Sequence, residues 1–183
     1  ELIVSIGVIS LVTGIFLANY SSANRRSDLT MTTQKMISDI HMAQNYSLGL
    51  THYGSKDSIN VPLGGWGIHF DLSNSNQQYV IFADDDGDKI YSGSTEADVA
   101  KGADIITLPQ NIVIDSISVG NKADITWLPP DPITTITGPL ATYPQVDIVL
   151  KDKNTNTTKT VRLNFLGLAE VINWYEKMEN FTS

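Results

Sequence analysis

Cysteine is absent from the chain. That excludes a disulfide framework, a thiolate metal site and a cysteine nucleophile. Stability must come from packing, ions or assembly. Basic charge is also scarce. Lys and Arg number 12 against 20 Asp and Glu, the net charge is -8 at pH 7, and no basic run exceeds Arg25-Arg26. Nucleic-acid recognition through a broad basic face is therefore not expected. The common catalytic motifs are missing too. There is no G-x-S-x-G, P-loop or H-E-x-x-H, and His41, His52 and His69 share no metal-binding spacing. An enzyme is not expected.

The most informative absence is of charge. From Leu2 to Asn24 none occurs, although Glu1 stands before the stretch and Arg25-Arg26 after it. All residues from Leu2 to Leu17 are Leu, Ile, Val, Gly or Phe, except Ser5, Ser10 and Thr13. The order acid, apolar, basic is the inverse of a secretory signal peptide. Leu2 to Ala18 as helix would measure about 26 Å, just enough for a bilayer core. A plain anchor would explain the apolarity but not Glu1, because a carboxylate beside lipid is costly and is kept for a role.

The helical pattern continues past the apolar stretch. Leu29, Thr33, Met36, Ile37, Ile40, Ala43, Ser47, Leu48 and Leu50 recur at spacings of three and four. The spacing predicts helix from Glu1 to about Tyr53, with Gly54 as its stop. Beyond it, period-two patterns predict strands at Trp66–Leu72, Gln78–Ala83, Ile105–Leu108, Ile112–Val119, Ala123–Trp127, Gln145–Lys151, Lys159–Phe165 and Ala169–Trp174. Five prolines between Pro129 and Pro144 read as a long surface loop without a central strand. The expected fold is α+β: one long N-terminal helix, apolar in its first half, laid by its second half on an antiparallel, sandwich-like sheet. Residues 1–25 would form a helical arm, and residues 26–183 a globular head.

ELIVSIGVISLV resembles the N-terminus of the type IV pilin and pseudopilin superfamily, where a glutamate leads a Leu/Ile/Val-rich helix. QKMISDIHMAQNYSLGL, GWGIHFDL, QYVIFADDDGD and VRLNFLGLAEV resemble segments of the H-type minor pseudopilins of type II secretion. The resemblance implies a structural subunit of an extracellular filament, held together by bundled N-terminal helices. Its alternatives are a minor pilin or a type II secretion pseudopilin at a tip or in a periplasmic pseudopilus, and a membrane-anchored binding domain. It implies as partners other copies of the chain, the inner membrane before assembly, and prepilin peptidase with the pilus machinery. The assembly residues would be Glu1, Leu2, Ile3, Val4, Ile6, Val8, Ile9, Leu11, Val12, Ile15, Phe16 and Leu17.

One further constellation carries chemistry. Asp84, Asp86 and Asp88 have the 1-3-5 spacing of a calcium loop, with Ile90 placed to offer a backbone carbonyl and Glu96 a closing carboxylate. Two features depart from that pattern: Lys89 stands where glycine is expected, and Glu96 falls one place late. A calcium site and a solvated acidic turn are equally good readings. Asn156, in the turn-like run Asn154 to Thr157, is the best placed acceptor for a glycan.

Overall fold

Trp66, Ile68 and Phe70 alternate with Gly67, His69 and Asp71, and this period of two sets a strand whose two faces carry different loads. The computed structural model describes residues 2–53, 60–93, 104–129 and 133–172. The side chains of Leu2 and 17–27 fall outside the description. In chain order the elements are α1 (Leu2–Leu48), β1 (Gly65–Asp71), β2 (Gln78–Asp84), β3 (Asp104–Thr107), β4 (Ile112–Ile117), β5 (Lys122–Leu128), β6 (Ile133–Thr137), β7 (Thr142–Tyr143), β8 (Gln145–Asp152), β9 (Thr158–Asn164) and β10 (Ala169–Ile172).

The strands form two antiparallel sheets. The larger has the order β3-β2-β1-β5-β6-β7, and the smaller the order β10-β9-β8-β4. Trp66, Ile68 and Phe70 of β1, with Ala123, Ile125 and Trp127 of β5, face inward from the larger sheet. Val146, Ile148 and Leu150 of β8, with Val161 and Leu163 of β9, face inward from the smaller. Leu29, Met36, Ile40 and Ala43 of α1 complete the same core, and α1 touches β1 and β5 on one side and β8, β9 and β10 on the other. Each buried Val, Leu, Ile, Phe or Met among them contributes about 1.5–3 kcal/mol by leaving water.

The expected long helix laid on a sheet is corrected. Helix is described in two short pieces, 3–16 and 28–48, within the backbone bounds of α1, and the chain is mostly antiparallel sheet. The 28–48 piece does not rest on one sheet but makes contact with both. The apolar spacing that suggested a helix on a sheet is equally served by a helix edge shared between two inner faces.

The helix also stops earlier than expected. Thr51 N–H donates to the Tyr46 carbonyl at 2.8 Å, and Leu50 N–H to the Ser47 carbonyl at 3.1 Å. These are the paired bonds of a Schellman ending. Leu50 takes its left-handed position, at φ 48°. Gly54 lies outside the described residues.

The proline-rich stretch is not simply a loop. Ile133–Thr137 forms β6, paired with β5 on one side and β7 on the other. Pro139 and Pro144 flank β6 and β7 rather than interrupt them, so no ladder hydrogen bond is lost to a ring nitrogen. β4 is shorter than expected and carries a bulge between Ile114 and Ser116. β8 and β9 form an antiparallel hairpin, with Gln145 opposite Asn164 and Lys151 opposite Thr158.

A leucine in the left-handed region is strained by its Cβ, and Leu50 is half exposed, so little packing offsets that strain. Leu50→Gly should raise unfolding stability by about 0.5–1 kcal/mol in urea titration. A loss of stability would show that Leu50 is held by packing instead.

Candidate functional site

Two features follow from this architecture: an uncovered helical stretch and an acidic turn at the end of β2. The first is set by what the head can reach. Leu29, Met36, Ile40 and Ala43 bind the 28–48 piece into the core, and the Ser47 hydroxyl donates to the Trp127 carbonyl. Lys35 Nζ and Tyr79 Oη meet on Asp39 Oδ2, at 2.6 and 2.5 Å. Burial, and then the Asp39 carboxylate, push the Tyr79 hydroxyl well above its ordinary pKa, so it stays a donor.

Among the described residues nothing comparable covers 3–16. Ile3, Val4, Ile6, Val8, Ile9, Leu11, Val12, Ile15 and Phe16 are all exposed, from 57% at Val8 and Ile15 to 86% at Ile3. An added Cβ at Gly7 or Gly14 would meet nothing within 4 Å. Exposure runs all round the helix, whereas a helix serving only its own domain shows one apolar stripe. Of the other expected assembly residues, Glu1 and the side chains of Leu2 and Leu17 lie outside the description. Among the described residues no helix is long and apolar enough to cross a membrane.

The acidic turn brings three expected residues together. Asp84, Asp86 and Asp88 each offer a carboxylate oxygen, and these oxygens lie within 4.8 Å of one another. Asp84 is fully buried. Its Oδ1 accepts Gly87 N–H at 2.7 Å and its Oδ2 accepts Lys89 N–H at 2.9 Å. Asp86 Oδ1 accepts Asp88 N–H at 3.1 Å, and Asp88 Oδ1 accepts Ile90 N–H at 2.8 Å. The chain thus reverses through successive carboxylate-to-backbone bonds. Lys89 has φ 67°, the conformation that glycine would supply at that place in a calcium loop. Ile90 sits on the turn with its side chain partly exposed, and Glu96 lies outside the described residues.

Gly64 makes room for this arrangement. Its N–H donates to the Asp84 carbonyl, and an added Cβ would stand 1.8 Å from Asp84 Oδ2. Burial raises the Asp84 pKa. The two N–H donors oppose that rise, and the Asp88 and Asp86 charges add to it.

One constellation escaped sequence reasoning. On the outer face of the larger sheet, His69 Nδ1 lies 2.6 Å from Asp124 Oδ1, and both side chains are largely buried. Tyr91 N–H also donates to Asp124 Oδ1, at 3.2 Å. The Tyr91 ring packs 4.7 Å from His69 and 5.4 Å from Phe82. The segment after the acidic turn therefore folds back over β1, β2 and β5. His69 and Asp124 are direct cross-strand neighbours. The outward positions of the two expected strands hint at this, but the pairing of β1 with β5 is a long-range fact.

His41 is exposed and its Nδ1 meets Gln44 Oε1 at 2.8 Å. Asn156 is exposed at φ 55° in the β8–β9 turn, and its N–H donates to the Asp152 carbonyl at 2.8 Å. Comparison with protein-family models, curated proteins and solved structures gives no match.

Asp84 yields a pH prediction for the metal-free chain. A carboxyl whose folded pKa is raised contributes stability that is present below its unfolded value of 3.8. That contribution is lost as pH rises through the folded pKa. With chelator present, the Tm of the parent relative to Asp84→Asn should therefore fall as pH is raised from about 4 to 7. A difference that stays flat or grows would contradict the assignment.

Proposed function

We propose that this chain is a structural subunit of a type IV pilus-like filament, joined to its neighbours through 3–16. The observation that carries the reading is the exposure of apolar side chains all round a helical stretch whose continuation, 28–48, is bound into the head. A surface of that kind is stable in water only when covered. Other copies of the same stretch are its natural cover, because like apolar helices bundle. The likeness of ELIVSIGVISLV to the pilin superfamily supports the same reading, and adds an inner-membrane stage before assembly. The filament itself rests on bundling, not on spanning. The chain serves as scaffold rather than catalyst.

Glu1 would act within such a bundle as a register mark. A buried carboxylate without a partner costs several kcal/mol. An α-amino group of a neighbouring copy removes that cost only at the correct stagger.

A charge placed in the stretch tests the reading. Ile6→Asp or Val8→Asp should abolish filaments in electron micrographs, while the cooperative thermal transition of the head stays within a degree or two of the parent. Normal filaments from either variant would defeat the proposal.

We propose further that the acidic turn takes calcium, which would offset the mutual repulsion of Asp84, Asp86 and Asp88. The support is the 4.8 Å grouping of their oxygens and the left-handed Lys89. Calcium at a hundredfold excess over its dissociation constant should add about 2.7 kcal/mol to the stability of the chain. Asp86→Asn should shrink that gain. Equal melting in calcium and chelator would leave the turn as a network of backbone caps alone.

A further inference from the structure

We draw no further inference here: the strongest candidate, the cavity of about 110 Å³ on the outer face of the larger sheet between His69, Asp71, Gln78 and Tyr91, has its charged groups already paired, His69 with Asp124 and Asp71 with Lys122, and nothing in the structure shows what it would receive.

Discussion

The clasp of the 28–48 helical piece by two sheets is the constraint on which the rest depends. Met36, Ile40 and Ala43 are fully buried, and their surroundings come from β1 and β5 on one side and from β8 to β10 on the other. Two half-open sheets become one core by sharing that helix edge. The same clasp fixes what the head cannot do. It uses the apolar positions between Leu29 and Ser47 and leaves the apolar side chains from Ile3 to Phe16 exposed. Fold stability and the capacity to assemble are thereby assigned to different parts of one element.

The outer face of the larger sheet shows a different economy. Val80, Phe82, Asp84, Asp124 and Thr126 are buried there, outside the main core. The cover comes from the segment that follows Asp84. Asp84 turns the chain by binding two N–H groups, and Tyr91 then lands on His69 and Phe82. The buried carboxylate is costly, and its raised pKa expresses that cost. Its return is the direction of the chain: Gly64 leaves room for the carboxylate, and Lys89 takes a left-handed backbone. A cation would add to a turn already built, which separates the fold's need for Asp84 from any ligand's use of Asp86 and Asp88.

Much of the sheet could be read from the sequence, because alternation is local. Gln145–Lys151 and Lys159–Phe165 fall close to β8 and β9, and Trp66–Leu72 close to β1. β6 was hidden by its neighbours. Ile-Thr-Thr-Ile-Thr is strongly β-branched, but the prolines around it drew the reading to a loop. The helix end was hidden by a leucine in a glycine's conformation. The layering of the helix between sheets was not legible, since an apolar stripe says how much is buried but not how many partners bury it. At the acidic turn the three aspartates and the anomaly at Lys89 were visible, and only φ explains the anomaly. His69 with Asp124 needed the β1–β5 pairing, which no local pattern supplies.

Amide hydrogen exchange on the full chain, dispersed and then assembled, tests the central division most directly. In the dispersed chain, amides of 33–47 should be protected to the level of global unfolding, while those of 3–16 exchange orders of magnitude faster. Assembly should protect 3–16 and leave 33–47 nearly unchanged. Strong protection of 3–16 in the dispersed chain would contradict the account, because that stretch would then be covered by its own head and not kept for other copies.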